Sequence, residues 1–290
     1  IQTVYRNNIV YITAKNKDIT DSIRYAKRIQ LAIMEEKEDI YKVLPSCFIL
    51  YKPKDIVSGD FYYFAEAPAQ PLTDKSGIQN TTMNNSSMIL AVVDCTGHGV
   101  PGAFMSMIGN DQLNKIIKEK GVEQPSVILN HLDINIRNAL HQHKEQSNIR
   151  DGMDIALCKI NLAGKTLEYA GAHNPLFVYR NGISNPDEVE IIKADKMAIG
   201  GIKMAENQKF TNHVLNLSNG DTVYMFSDGY HDQFGGPKDK KLGSRMFREL
   251  LFSVQQKPIN EQEALLENAI KKWMVNAEQT DDILVIGVRY

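Results

Sequence analysis

The 290-residue chain lacks any long apolar run. Nothing in it approaches the roughly 20 consecutive apolar residues of a membrane-spanning helix, and no signal-peptide pattern opens it. Cysteine is scarce as well: Cys47, Cys95 and Cys158 are odd in number and widely spaced. Because such cysteines do not suggest a disulfide framework, we expect reduced thiols in a cytoplasmic protein, with no membrane segment in this chain.

The chain also lacks an excess of charge of either sign. Its 33 Lys and Arg residues nearly balance its 35 Asp and Glu residues, which gives a formal net charge of -2. A chain that binds nucleic acid or anionic membrane usually carries a clear basic excess, so we expect no nucleic-acid partner. The apolar share of 43% and the charged share of 23% are typical of a globular protein with a substantial core.

An initiator Met is missing too, and the first residues resemble the middle of a longer polypeptide, so we expect an upstream sensor domain. Residues 18–43 predict one helix, with Ile19, Ala26, Ile33 and Ile40 at seven-residue spacing. We expect residues 1–44 to form an N-terminal linker or regulatory helix that pairs in a homodimer, and residues 45–290 to form the main domain. The alternative is an ordinary amphipathic helix packed on its own domain.

Strand-like runs dominate the rest of the chain and are interrupted by pairs of helices. This order predicts an α+β layered domain and not a βαβ alternation. A stretch rich in Pro, Ser, Thr, Asn and Gly at 65–87 predicts a long hairpin loop. Strands are predicted at 48–51, 60–64, 88–93, 154–160, 166–170, 176–180, 213–217, 222–226 and 283–289, and helices at 101–120, 126–143, 244–254 and 261–274.

Four aspartates stand where apolar, strand-like runs meet turns: Asp60, Asp94, Asp228 and Asp281. Two end a strand and two begin one, and neighbouring antiparallel strands share a rim, so the four carboxylates can gather at one edge. Clustered carboxylates raise one another's pKa unless cations offset them, which predicts a site for Mg²⁺ or Mn²⁺. Any one of these aspartates alone would be read as a turn residue.

Five segments surround the four aspartates and the turns next to them. They are Lys52-Pro53 with Ser58-Gly59-Asp60-Phe61-Tyr62, Asp94-Cys95-Thr96-Gly97-His98-Gly99-Val100-Pro101-Gly102-Ala103, Ala170-Gly171-Ala172-His173-Asn174-Pro175, Phe226-Ser227-Asp228-Gly229, and Thr280-Asp281-Asp282. One such segment would be weak evidence, whereas five in order are specific. Together they make the chain resemble the SpoIIE-like branch of the metal-dependent (PPM-type) Ser/Thr protein phosphatases, over roughly residues 44–290.

The resemblance implies two antiparallel β-sheets packed face to face with helices outside, and two Mn²⁺ or Mg²⁺ ions at one end. Asp94 would bridge both ions, with the backbone carbonyl of Cys95 as a second ligand. Asp60 would serve one ion, and Asp228 and Asp281 the other. The implied activity is hydrolysis of phosphoserine or phosphothreonine by a metal-activated water, on a signalling protein such as an anti-sigma-factor antagonist.

Asp60, Asp94 and His98 are the expected catalytic residues. His98 would protonate the leaving serine oxygen, because histidine titrates near neutral pH; a purely structural role in its turn is the alternative. Lys52 and Lys54 are candidates to meet the phosphate. Three further residues are interpreted as structural: His173, Asp282 and Asp154. Asp282 directly follows Asp281, and adjacent strand side chains face opposite ways. Asp154 stands at a strand start, and for this residue an additional metal site is the alternative.

Two rival functions are open at this point. Gly97-His98-Gly99-Val100-Pro101-Gly102 matches the dinucleotide-binding G-x-G-x-x-G pattern after a strand and before a helix, which would indicate an oxidoreductase. The region after that helix lacks the parallel strand ending in an acidic residue that such a unit needs. The second rival is a catalytically silent phosphatase-fold binding module, which the presence of all four carboxylates disfavours.

Overall fold

The computed structural model describes residues 2–67, 87–142, 149–201 and 208–290, with side chains from residue 7 onwards. Most of the predicted loop at 65–87 lies outside these ranges. None of the helices within them is both long enough and apolar enough to cross a membrane.

The elements are numbered in chain order. The helices are α1 (Gln2–Ile33), α2 (Lys37–Val43), α3 (Gly99–Asn114), α4 (Pro125–Ala139), α5 (Gly229–Asp232), α6 (Gly243–Val254) and α7 (Ile259–Met274), with a π-helical turn at Lys115–Glu119 and a 3₁₀ turn at Pro186–Glu188. The strands are β1 (Cys47–Lys52), β2 (Phe61–Glu66), β3 (Ser87–Cys95), β4 (Gly152–Asn161), β5 (Thr166–Ala172), β6 (Leu176–Tyr179), β7 (Glu190–Ile192), β8 (Ile199–Gly200), β9 (His213–Asn216), β10 (Thr222–Phe226), β11 (Phe234–Gly235), β12 (Lys240–Lys241) and β13 (Ile283–Arg289).

The described strands form two large antiparallel sheets and a small β11–β12 ribbon. One sheet has the order β1-β13-β10-β6-β7, and the other has the order β2-β3-β4-β5-β9 with β8 paired to β4. Helices α6 and α7 pack outside the first sheet, and α3 and α4 outside the second. The predicted α+β fold, two packed antiparallel sheets between layers of helices, is confirmed.

Strand β13 shows why the predicted strands read as unbroken apolar runs. Leu284 and Ile286 face the cluster shared by the two sheets, whereas Ile283 and Val285 face the cluster under α6 and α7. Successive strand side chains point to opposite faces, so a strand with helices on one side and a sheet on the other is buried on both faces. Such strands carry a signal that composition alone can detect.

The predicted continuous helix at 18–43 is wrong. Helix α1 begins earlier and ends at Ile33, and α2 begins only after a break in which Glu36 is extended, with φ -69° and ψ 139°. Met34, within that break, and Ile40, on α2, both lie in the hydrophobic core. Ile40 therefore does not continue the exposed seam, and the seven-residue pattern spans two helices with different environments.

Helix α4 follows its predicted pattern and then stops early. Pro125 occupies its first turn, and Ile128, Leu132 and Ile136 are fully buried at four-residue spacing. The prediction extended this helix to residue 143, which lies outside the described ranges. Helix geometry ends near Ala139, because His141 adopts a left-handed backbone with φ 53°.

Candidate metal centre

The structure places the four predicted aspartates at one end of the sandwich, two on each sheet. Asp60 directly precedes β2 and Asp94 lies near the end of β3, and these two strands pair with Phe61 opposite Val93. Asp228 follows β10, and Asp281 precedes β13, its neighbour in the other sheet. The backbone N–H of Asp228 donates a hydrogen bond to the Asp94 carboxylate, which links the two sheets at this rim.

Burial and mutual repulsion perturb these carboxyl groups strongly. Desolvation and then the charges of Asp228 and Asp281 raise the pKa of Asp94 to about 8. Desolvation and then the charge of Asp94 raise the pKa of Asp60 well above its ordinary value, against a hydrogen bond from Ser227. Such shifts are typical of a site built to receive cations, which would favour the ionised forms.

The oxygen donors at the rim are of the kind that hard divalent ions prefer. The Oδ2 atom of Asp60 is buried without a hydrogen-bond partner, which is costly for a carboxylate unless another ligand satisfies it. Among the described residues, no three His, Cys, Asp or Glu side chains are spaced as the ligands of one ion. The ligand roles are therefore inferred from the orphaned oxygen and the clustered charge, and not from a preformed coordination geometry.

Asp282 holds the turn that presents Asp60. Its carboxylate, 2% exposed, accepts the backbone N–H groups of Lys54 at 2.7 Å, Gly59 at 2.8 Å and Asp60 at 3.4 Å. An aspartate with three backbone donors has its oxygens engaged, so it acts as a positioning residue. The alternation of strand side chains indicated that Asp282 is no ligand, but nothing in the sequence signalled its bonds to a turn more than 220 residues away.

Two glycines allow the loops of the rim to pack backbone to backbone. A Cβ atom on Gly59 would lie 2.5 Å from the carbonyl oxygen of Gly97, and one on Gly102 would lie 2.3 Å from the same atom. No side chain fits at either position without moving a main chain. The Gly-Asp-Phe and Gly-Val-Pro-Gly segments therefore serve here as a close-packed joint between the turns that carry Asp60 and Asp94.

The Cys95 side chain is buried in the core, 4% exposed. Burial, and then the neighbouring charges led by Asp94, raise the pKa of this thiol well above its usual range in the metal-free protein. The predicted role of this residue uses its backbone carbonyl alone. That oxygen lies on the side of the Gly59 turn, 3.3 Å from where a Cβ of Gly59 would sit.

His98 belongs to a polar cluster beside the rim. Its Nδ1 lies 2.7 Å from Asp55 Oδ2, and its Nε2 lies 3.2 Å from the Lys54 Nζ. Because an ammonium group only donates, these contacts assign the proton to Nδ1 and leave Nε2 as the acceptor. The imidazole side chain is 50% exposed, so Asp55 orients a ring that remains open to solvent and substrate.

The structure places two other candidate residues, Lys52 and Asp154, in different positions relative to the rim. Lys52 lies away from the site, because its Nζ pairs with Glu267 on α7 at 3.1 Å. Asp154 lies directly opposite Asp94 in the β3–β4 pairing, and its charge helps to raise the pKa of both Asp94 and Asp228. Burial raises the pKa of Asp154 itself, while the imidazole of His173 opposes the rise. Sequence analysis put Asp154 at a strand start and interpreted it as structural, and the structure places it within β4.

The fold excludes the dinucleotide-binding alternative. The glycine-rich run at 97–102 does follow strand β3 and open helix α3. However, β3 is antiparallel to both of its neighbours, β2 and β4. A Rossmann site needs parallel strands joined by crossover helices, so this run shapes a turn and binds no dinucleotide in that manner.

The raised pKa values predict that the metal-free protein loses stability as the pH rises. An unfolded chain releases the Asp94 proton near 3.8, whereas the folded carboxyl retains it to about pH 8, and Asp228 behaves alike up to about pH 6. The folded state then binds more protons between about pH 4 and pH 8, so rising pH favours unfolding. We expect the Tm of chelator-treated protein to fall across this window, and Asp94→Asn to flatten the slope. Circular dichroism melting curves measure both; equal slopes in the two proteins would contradict the shift.

Known proteins share both this fold and this sequence pattern. The family model for stage II sporulation protein E (SpoIIE) matches residues 84–290. The SiaA-PP2C domain of Pseudomonas aeruginosa is 30% identical, with a TM-score of 0.79, over 96% of this chain and 99% of that one. A search of the curated proteins finds no match.

Two further solved structures resemble the fold at lower identity. The PP2C phosphatase domain with a fragment of the regulatory domain of SpoIIE from Bacillus subtilis is 20% identical, with a TM-score of 0.61, and the alignment covers 84% of this chain and 61% of that one. RsbX in complex with magnesium is 18% identical, with a TM-score of 0.50, over 83% of this chain and 92% of that one.

Proposed function

Because the chain belongs to the SpoIIE family of PPM-type (PP2C) Ser/Thr protein phosphatases, we propose that it hydrolyses phosphoserine or phosphothreonine on a signalling protein in a metal-dependent reaction. The observation that carries the metal dependence is the rim itself: four carboxylates meet there, and Asp60 has a buried oxygen without a partner. A fold relative, RsbX, has been solved with magnesium, which supports the same class of ion. The protein substrate is proposed to be an anti-sigma-factor antagonist or a similar phosphoprotein in the cytoplasm, and the three buried, free cysteines agree with that compartment.

Different rim residues would coordinate each of two Mn²⁺ or Mg²⁺ ions. Asp94 would bridge them, the Cys95 carbonyl and Asp60 would complete one side, and Asp228 and Asp281 the other. When bound, such ions activate a water molecule and offset the charge of the transferring phosphoryl group. Ser227 and Asp282 position these ligands, because the first donates to Asp60 and the second fixes the turn before β2.

The basic test uses a chromogenic aryl phosphate and a phosphoserine peptide, each with and without Mn²⁺. We expect turnover with the ion, loss with a chelator, and recovery when excess Mn²⁺ is returned. This test also separates an enzyme from a catalytically silent binding module. A folded protein that hydrolyses neither substrate in Mn²⁺ would be such a module.

His98 is proposed to deliver the proton that the leaving serine oxygen needs. To act as the acid, the ring must first take up a second proton at Nε2, while Asp55 keeps hold of Nδ1–H; Nε2–H would then donate to the leaving oxygen and return to the acceptor state. We expect His98→Ala to slow phosphoserine peptide hydrolysis about 100-fold and aryl phosphate hydrolysis much less, because a phenolate leaves without a proton. Steady-state kinetics on both substrates measure the ratio; equal losses would reduce His98 to a structural residue.

The N-terminal region is proposed to be regulatory, with residues 1–44 as linker and residues 45–290 as the phosphatase domain. Helix α1 exposes a row of large apolar side chains, among them Ile19 at 58%, Ile29 at 39% and Ile33 at 37%. At its C-terminal end the helix is bound to the domain, because Asn110 on α3 donates to the Ile33 carbonyl at 3.1 Å. An upstream sensor and a second copy of the chain are the proposed partners of the exposed part.

The homodimer proposal predicts a specific effect of charge on the seam. Ile33→Glu should lower the molar mass seen by light scattering and alter turnover, because a charge on an apolar seam opposes helix pairing. Leu31→Glu is the matched control: Leu31 is 47% exposed and lies off the seam on the same helix. Equal mass and turnover in wild type and the Ile33→Glu protein would leave α1 without a role in pairing.

A further inference from the structure

A pocket of about 360 Å³ lies beside the rim, between α4, β8 and the start of β4. Thr96, two residues after Asp94, lines it together with Gly152. These two residues are locked together, since the Gly152 N–H donates to Thr96 Oγ1 at 3.1 Å and the Thr96 N–H donates to the Gly152 carbonyl at 2.9 Å. The pocket therefore opens next to the strand end that carries the central carboxylate, and its volume is in the range of ligand-binding clefts.

One ion pair builds the wall of this pocket. The Arg137 Nε lies 2.9 Å from both Asp133 oxygens, and its terminal nitrogens donate to the carbonyls of Gly200 at 2.9 Å and Gly201 at 2.6 Å. Asp133 also accepts the Gly200 N–H at 2.8 Å. Both charges are thus committed to holding β8 against α4. They leave no free charge for a ligand.

Two further cationic side chains line the pocket and are not held by an ion pair of this kind. Arg150 and Lys196 are exposed, and neither has an ion-pair or hydrogen-bond partner among the described residues. The imidazole of His173 also lines the pocket, and it interacts electrostatically with Asp154. Met197 and Phe210 supply an apolar surface between these groups. The pocket thus presents a net positive lining directly beside the carboxylate rim.

We infer that this pocket receives an acidic stretch of the substrate polypeptide next to its phosphorylated residue. This inference rests on the proposed phosphatase function and adds a specificity site to it. A phosphoserine placed at the carboxylate rim brings its neighbouring residues past Thr96, where Arg150 and Lys196 attract Asp and Glu side chains and repel Lys and Arg. Because both cations are exposed, each contributes modestly, and the selectivity comes from the pair.

The test compares two phosphoserine peptides that differ only in flanking residues, Asp and Glu in one and Lys in the other. We expect wild type to favour the acidic peptide about 10-fold in kcat/KM, mainly through KM. The double variant Arg150→Glu/Lys196→Glu should lose or reverse this preference and keep the aryl phosphate turnover of wild type. Arg245→Glu/Lys272→Glu makes the same change of net charge on α6 and α7, and should keep the preference.

A second readout separates the pocket from the catalytic proposal. The acidic peptide without its phosphate, carrying a fluorescent label, should bind the wild type more tightly than the Arg150→Glu/Lys196→Glu protein in fluorescence anisotropy. Equal affinity of the two proteins for this peptide, together with a wild-type preference for the acidic phosphopeptide in the double variant, would overturn the pocket assignment. The proposed phosphatase activity would be unaffected by that result. The opposite result is a wild-type protein that hydrolyses no phosphate ester but binds the acidic peptide in a way that depends on Arg150 and Lys196. That result would contradict the proposed function and support the pocket assignment.

Discussion

Replacing Asp94 by Asn is expected to lower Mn²⁺-dependent turnover by about 10³-fold while leaving the fold intact. The exchange keeps the shape of the side chain and removes one charge from the group that both ions would share. Loss of several kcal/mol of transition-state stabilisation corresponds to a rate loss of this order. Because desolvation and carboxylate charges raise the pKa of Asp94, a neutral amide should also relieve repulsion in the metal-free protein.

Turnover of a phosphoserine peptide and Mn²⁺ affinity should fall together in this variant. The matched control is Asp111→Asn, which removes the same charge from the exposed face of α3, where Asp111 pairs with Lys115 at 2.6 Å. That control should retain wild-type turnover. An Asp94→Asn protein with wild-type kcat in Mn²⁺ would show that Asp94 bridges nothing.

Gln30→Ala is expected to lower activity although Gln30 lies on α1 and hydrogen-bonds to no carboxylate of the rim. The Gln30 amide is 3% exposed and pairs with Ser58 in both directions: Nε2 donates to the Ser58 carbonyl at 2.6 Å, and Oε1 accepts the Ser58 N–H at 3.2 Å. It also donates to Ser106 Oγ on α3 at 2.8 Å. Ser58 stands two residues before Asp60, so this one side chain connects the N-terminal helix to a proposed metal ligand.

Removing the amide leaves two buried backbone groups of Ser58 without partners, at a cost of about 1–3 kcal/mol. We expect kcat or Mn²⁺ affinity to fall about 10-fold or more as the Gly59 turn loosens, measured at a temperature where circular dichroism shows a folded protein. Gln112→Ala is the matched control, because this half-buried glutamine on α3 has a side chain that hydrogen-bonds, among the described residues, to its neighbour Asp111 alone. A Gln30→Ala protein that is less stable but has unchanged Mn²⁺ dependence would make Gln30 a packing residue only.

The strands and the rim were predictable because their signals are local. Runs such as Met88 to Val93 are apolar throughout, since they are buried on both faces, and an aspartate at the end of such a run stands out. The break between α1 and α2 was not predictable in this way. Ile33 and Ile40 fit a seven-residue repeat, yet Ile33 is 37% exposed and Ile40 is fully buried, and only the packed structure distinguishes these environments.

The supporting residues were missed because their partners are distant in sequence. Asp282 was judged from the alternation of its strand, which says nothing of the turn at Gly59 that it binds. Gln30 is one polar residue on a polar helix, and its role depends on a contact 28 residues away. The pocket beside Thr96 is assembled from α4, β4 and β8, and no single segment of sequence carries its pattern.

The most direct test of the central claim is a calorimetric titration of the chelator-treated protein with Mn²⁺ at pH 7.5, run in parallel with phosphoserine peptide turnover. Two ions per chain are expected for wild type, with turnover rising as the sites fill. Protons should be released as carboxyl groups with raised pKa values ionise. Asp60→Asn should bind fewer ions and lose turnover in proportion. Full peptide turnover in a protein that binds no Mn²⁺ or Mg²⁺ would contradict the account.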